Sequence, residues 1–418
     1  MATATKKKGR GKKALIVILA IIIVIAIIFG VCYGIGQIGY KSNTDYAKNV
    51  KAVDYTNQLK PTLDKETGYW TFTTDKEFKI LQLTDIHIGG GFISLERDAW
   101  ALQACEKLIR ETKPDLVVVS GDIGWPIPYS SGTVNNLRPV VEFTNLMESL
   151  GVYWTFVFGN HDTEVYSFYD RKYISDYYDK KIQEGELKYC LYQSGFQGEI
   201  EGYEGIEADA GYGNTMILVK NSSGAIVQDI ILIDSHSYEK GFFQDYDHIH
   251  ECQIDWYKDE IAKLTDINKK ATGSSKVIKS IAFFHIPLEE YKTAWEEYLA
   301  NDKANTDNVK LVYGSVGESG KMVYCGVSPD NFFETIQEVG STRGIFCGHD
   351  HLNNYSLYYN GGKGDNFIKL TYGMSIDYIA YFGIASKTAQ RGGTVITINT
   401  DGTFDNFGLR LSDLGILE

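Results

Sequence analysis

The chain has 418 residues, 44% of them hydrophobic, which suffices for a sizeable core in one or two domains. Its net charge is −13, and the first thirteen residues hold six basic side chains and no acid, so the rest carries −19. A body this acidic argues against nonspecific binding to a nucleic-acid backbone.

From Ala14 to about Tyr33 the sequence is uncharged and almost wholly Ile, Val, Ala and Leu. Roughly 20 such residues span a bilayer core as a helix. The basic block before this run, and the absence of one after it up to Lys41, place the N-terminus in the cytosol and the bulk of the chain outside. A cleaved signal peptide is the rival reading. The run exceeds the roughly 7–15 apolar residues of a signal and no small-x-small site clearly succeeds it, so an uncleaved signal-anchor is expected. Residues 1–13 then form a cytosolic tail, 14–33 the transmembrane anchor, 34–65 a polar stalk, and 66–418 the folded domain.

Cys105, Cys190, Cys252, Cys325 and Cys347 lie beyond the anchor without a CxxC spacing, which excludes a zinc finger or a dense disulfide framework and leaves one or two disulfides open. Cys105 and Cys347 read as buried thiols. Asn221-Ser222-Ser223 and Asn354-Tyr355-Ser356 fit glycosylation acceptors, which mean nothing in a bacterial host.

Tyr69-Trp70-Thr71-Phe72 alternates like an edge strand, and Phe78 to Leu83 begins the core. Residues Glu96 to Glu111 form an amphipathic helix leading to the strand Leu116 to Val119, and a helix around Val140 to Leu150 leads to Trp154 to Phe158. Tyr166 to Gly213, crowded with Tyr, Asp, Lys, Glu and Gly, reads as an insertion with a helical piece near Tyr173 to Gln183. Asn214 to Val219 and Ile226 to Asp234 form a hairpin, and a helix spans about Gln253 to Leu264. Apolar runs recur at Ile281 to Phe284 and Gly344 to Cys347. Phe367 to Thr371 and Thr394 to Ile398 suggest a closing antiparallel piece.

Five of these runs end in polar ligand-type residues: Thr84-Asp85-Ile86-His87, Ser120-Gly121-Asp122, Gly159-Asn160-His161-Asp162, His285, and Gly348-His349-Asp350-His351. Strand ends are where open α/β sheets place their sites. Carboxylates, imidazoles and one amide oxygen suit a borderline or hard divalent metal. In a strand each residue flips faces, so Asp85 and His87 at i and i+2 point the same way and can hold one ion, and His349 and His351 share that spacing. Two ions roughly 3.5–4 Å apart suit phosphate-ester hydrolysis.

In this order the blocks resemble the calcineurin-like metallophosphoesterase superfamily, and Phe284-His285-Ile286-Pro287-Leu288-Glu289-Glu290-Tyr291, Tyr212-Gly213-Asn214 and Gly348-His349-Asp350-His351 are similar to its purple-acid-phosphatase-like branch. The similarity covers roughly Phe78 to Ile398. It implies a four-layer α/β/β/α sandwich of two mixed sheets, one metal held by Asp85, His87, Asp122 and His351, and a second by Asp122, Asn160, His285 and His349. It further implies in-line attack by a hydroxide between the metals, with His161 protonating the leaving alkoxide or stabilising a phosphoryl oxygen and Asp162 orienting His161. The purple enzymes carry a tyrosine ligand to iron; the D-x-H position here holds His87, so Mn, Fe or Zn all remain open.

Each block has a plainer reading, since Asp85, Asp122 and Asp162 could be caps or turn residues singly. Five in order are not coincidence. His236, His248 and His250 read as supporting or surface residues, Gly89-Gly90-Gly91 as a flexible turn rather than a phosphate cradle, and Trp125, Tyr129 and the tyrosine-rich insertion as a substrate wall or ordinary exported surface. The expected function is hydrolysis of a phosphate-ester substrate outside the cytosol, most simply a phosphomonoesterase. The alternatives are a phosphodiesterase or nucleotide hydrolase, a membrane-tethered binding protein that has lost catalysis, and a nuclease, which the −19 body opposes.

Overall fold

The apolar runs become strands that are covered on both faces, which is why they read as continuous rather than alternating. The computed structural model describes residues 8–198, 210–239, 245–386 and 390–415. A small sheet has the order Phe404–Arg410, Gly392–Ile398, Phe78–Leu83, Leu116–Ser120, Trp154–Val157. Its last three strands run parallel, joined by the helices Leu95–Thr112 and Leu137–Leu150. The large sheet has nine strands, of which Ile226–Leu232, Ser280–Phe283, Thr342–Cys347 and Ile368–Tyr372 run parallel at its centre.

Strand alternation divides the apolar side chains among three cores. Ile80, Val118, Ile230, Ile281, Phe283 and Phe346 meet between the sheets. Leu81, Leu83, Val117 and Val119 turn outward onto Leu102, Cys105, Phe143 and Leu146 of the two helices. Met216, Ile231, Ala282 and Ile345 turn the other way, onto Tyr257 and Ile261 of the helix Glu251–Thr272, Ala294 of Glu289–Ala300 and Ile336 of Phe332–Val339. The layers are therefore helix, sheet, sheet, helix, as expected.

Several particulars differ from expectation. Trp70–Thr73 is not at an edge, because the two-residue strand Thr62–Leu63 covers it. The closing pieces belong to different sheets: Ile368–Tyr372 lies in the large one, and Gly392–Ile398 pairs with Phe78–Leu83 in the small one. Within the insertion, a helix Arg171–Gln183 begins at Asp170, whose carboxylate accepts from Tyr173 N–H at 2.8 Å, while residues 199–209 lie outside the described set. Cys32, Cys105, Cys190, Cys325 and Cys347 form no disulfide.

The segment expected to be a stalk continues the N-terminal helix, which runs unbroken over Lys8–Asn49. Its apolar part is exposed all round, whereas Asn43, Thr44 and Ala47 are buried against the domain. Asn43 donates to the Leu95 carbonyl at 3.0 Å and Tyr46 donates to Glu106. At Gly39 a Cβ would stand 2.2 Å from Leu95 Cδ1, so the helix passes close over that side chain. Small residues and hydrogen bonds form this seat, and they leave no apolar stripe in the sequence.

The ring of Phe283 is wholly buried between the sheets and lies 5.0 Å from that of Phe346. Phe283→Ala is expected to cost about 3–5 kcal/mol, read as a lowered denaturant midpoint of the full chain in detergent; an unchanged midpoint would contradict this packing.

Candidate metal centre

All five ligand-bearing segments leave their strands on the same side of the two sheets, but the side chains converge for a reason other than strand parity. Phe78–Leu83 ends before Asp85, and Thr342–Cys347 ends before His349. Asp85, His87, Asp122 and His349 instead take left-handed backbone, with φ of 49°, 56°, 55° and 79°. Such a conformation costs a non-glycine residue about 1–3 kcal/mol and persists where surroundings impose it. Here hydrogen bonds impose it: His87 N–H donates to the Asp122 carbonyl at 3.1 Å and His349 N–H to Asp85 Oδ2 at 3.1 Å. The glycines of the motifs leave room for the ligands, since a Cβ on Gly159 would stand 2.1 Å from Asp122 Oδ1 and one on Gly121 2.4 Å from His285 Nδ1.

The structure brings all seven expected metal residues together, and all are buried. Asp85, His87, Asp122 and His351 offer ligand atoms within 4.8 Å of one another. Asp122 Oδ2 lies 3.2 Å from His87 Nε2 and 3.2 Å from His285 Nε2. Asn160 Oδ1 in turn lies 3.0 Å from His285 Nε2 and 3.0 Å from His349 Nδ1. Asp122 thus stands between two ligand groups. Burial opposes its ionisation, yet the charges of His285 and His161 outweigh that and hold the carboxyl well below its usual range. Burial likewise lowers His87, but Asp377 and Asp122 more than compensate and raise it to about 10; Asp122 and Asp85 raise His285 to about 9 against the same burial. A set of this composition favours positive charge at its centre, which a metal cation satisfies.

Sequence reading missed Asp377. Its Oδ1 is 3.1 Å from His87 Nδ1 and its Oδ2 3.0 Å from His351 Nδ1, ion-pair distances without straight hydrogen-bond alignment. The pair fixes both rings so that each turns Nε2 inward. Asp377 also comes after an apolar strand, Ile368–Tyr372, so the rule that found the other segments applied to it.

His161, partly exposed at the cleft, has Nδ1 2.6 Å from Glu164 Oε1. Asp162, expected to orient it, does something else: its carboxylate accepts from the N–H groups of Asp122, Gly124 and Gly159 at 3.0, 2.8 and 2.8 Å. Three backbone donors hold it, and Glu164 is the carboxylate beside the imidazole. The N–H groups of Gly89 and Gly90 are likewise committed to buried Asp98, at 2.7 and 3.0 Å, and do not form a phosphate cradle.

The cleft over the centre holds about 480 Å³ and is walled by Trp125, Tyr246, Tyr324, Tyr381 and Phe382, with Glu318 and Asp350 as its carboxylates. Trp125 packs at 4.4 Å from His87 and 4.2 Å from His161, whereas Tyr129 is exposed. Among the described residues that line the cleft there is no Lys or Arg. His236, Asp247 and His250 gather as a separate group whose members are partly buried.

A family model described as calcineurin-like phosphoesterase matches residues 78–353. The chain is 26% identical over 321 residues to a protein of Arabidopsis thaliana named probable inactive purple acid phosphatase 14, covering 70% of this chain and 72% of that one. It is 23% identical over 317 residues to probable inactive purple acid phosphatase 28 of the same plant, with the same two shares. Against phosphatase DCR2 of Saccharomyces cerevisiae it is 27% identical over 323 residues, covering 72% of this chain and 48% of the yeast protein.

Asp377→Ala frees the His87 and His351 rings. Metal affinity is expected to fall about 10–100-fold, measured by competition with a chromogenic chelator; unchanged affinity would remove Asp377 from the site.

Proposed function

The chain belongs to the calcineurin-like phosphoesterase family, and from that premise we propose that it is a two-metal hydrolase of phosphoric esters working outside the cytosol, most simply on monoesters. The observation that carries the reading is Asp122 Oδ2, equidistant at 3.2 Å from an imidazole of each ligand group. Asp85, His87, Asp122 and His351 would hold one ion, and Asp122, Asn160, His285 and His349 the other. Such ions, Mn, Fe or Zn, polarise phosphoryl oxygens and lower the pKa of water.

The chain's own residues supply the rest. His161 is placed at the cleft with Nδ1 engaged by Glu164, which leaves Nε2 to deliver a proton to a leaving oxygen. Tyr238 accepts from Asn160 Nδ2 at 3.0 Å, keeping the amide oxygen turned to the centre. Asp162 and Asp377 are positioning residues, one for the backbone that carries Asp122 and the other for two imidazoles. Trp125, buried against His87 and His161, shields those rings from bulk water, which strengthens the charges around them.

The Arabidopsis relatives carry the word inactive in their names and the yeast one is called a phosphatase. Activity in this chain is argued from its own residues: every ligand position and His161 are filled. A second reading, a phosphodiesterase, is favoured by the cleft wall. Without a Lys or Arg among the described lining residues, a singly charged diester is better matched than a dianionic monoester.

His161→Ala is expected to keep its metal and lose about 10²–10⁴ in rate on p-nitrophenyl phosphate or its bis ester, whichever is preferred. Loss of metal would make His161 a ligand instead. Asp122→Asn is expected to lose both metal and turnover, and a variant with full metal content and normal rate would contradict the bridging role.

A further inference from the structure

The N-terminal helix and the metal centre lie at the same end of the domain. Along the helix Leu95–Thr112, Gly36 meets Phe92, Asn43 bonds to Leu95, Tyr46 to Glu106, and the Lys51 carbonyl to Arg110. The two segments therefore run parallel. Leu95–Thr112 starts at the strand ends that carry Asp85 and His87 and leads away from them. Traced backward, the long helix passes Phe92 at that end and continues beyond the domain as its exposed apolar run, about 30 Å for 20 residues. A span in this direction brings the rim of the metal cleft, not the opposite edge, to the bilayer.

The loops of that rim have the surface such a position requires. Ile93, Tyr129, Val165 and Phe168 come after the strands Phe78–Leu83, Leu116–Ser120 and Trp154–Val157, and all are exposed, Val165 at 86%. Phe382, wholly exposed, stands at the cleft itself. Exposed apolar side chains gathered on one edge mark an interaction surface, and continuity with an apolar span identifies its partner as lipid.

We propose that the metal centre faces the membrane surface and that its substrate is a phosphoester carried by a membrane lipid, entering from the bilayer past these loops. The substrate half rests on the hydrolase reading above; the orientation rests on the helix alone. The absence of Lys and Arg from the described cleft lining and its five aromatic walls fit an ester whose remaining parts are held by the bilayer.

Two measurements on the full chain in phosphatidylcholine vesicles test this. In a Cys32→Ser, Cys325→Ser background, a fluorophore is attached through Phe168→Cys on the rim or Ser223→Cys in the hairpin turn at the opposite edge. Lipids bearing a nitroxide are expected to quench the rim label several-fold more strongly; equal or reversed quenching overturns the orientation. Turnover of phosphatidate in the vesicles is then compared with that of free glycerol phosphate. The bilayer-borne ester is expected to be preferred at least about tenfold in kcat/KM, a preference that Val165→Ser with Phe168→Ser reduces while metal content and glycerol phosphate turnover stay unchanged. Equal use of the two esters overturns the lipid substrate. Hydrolysis of neither, nor of bis(p-nitrophenyl) phosphate, with metal bound, overturns the hydrolase reading and the lipid substrate together; turnover of the bis ester alone, with the phosphatidylcholine of the vesicles intact, overturns the lipid substrate only, and the quenching decides the orientation in either case.

Discussion

A single buried carboxylate, Asp122, must remain ionised where no water can solvate it. It does so because imidazoles approach one oxygen from both sides at 3.2 Å while the other accepts from His161 N–H at 2.8 Å. Removing charges from water costs several kcal/mol each unless the geometry compensates fully. Much of the surrounding structure meets that condition: left-handed backbone at four site residues, glycines where a Cβ would strike a ligand, and Asp162 clamping the Asp122, Gly124 and Gly159 amides. Two sheets buried on both faces make the strand ends rigid enough to sustain the strain.

Side-chain chemistry at strand ends was legible, and geometry was not. The five motifs name their ligands because Asp, His and Asn after an apolar run are uncommon in combination. The apolar runs themselves gave most of the central strands. Parity along a strand was the wrong reason for Asp85 and His87 to converge, since the strand stops at Leu83 and the backbone then turns left-handed. Nothing in local sequence announces that turn; contacts more than thirty residues away enforce it. Glu164 lay within reach, two residues past Asp162, but choosing between two carboxylates needed the loop's path. Asp377 follows the apolar strand Ile368–Tyr372 as the other site residues follow theirs, but no motif marks it, and its link to His87 and His351 exists only in three dimensions.

The N-terminal region was half legible for a related reason. The apolar run is unmistakable in composition, but residues 34–49 have no periodicity to suggest a packed helix. Gly36, Gly39, Asn43 and Ala47 make the seat with close backbone approach and hydrogen bonding, which composition reads as a linker. A rigid seat carries more information than a flexible stalk would, because it gives the apolar helix a direction relative to the cleft.

On the proposed reading Asp122 joins two ions in one centre. Electron paramagnetic resonance of the full chain loaded with manganese tests this. Two ions about 3.5–4 Å apart with a shared carboxylate are expected to give an exchange-coupled multiline spectrum with about two manganese ions per chain. A six-line spectrum of isolated ions at saturation would contradict the account.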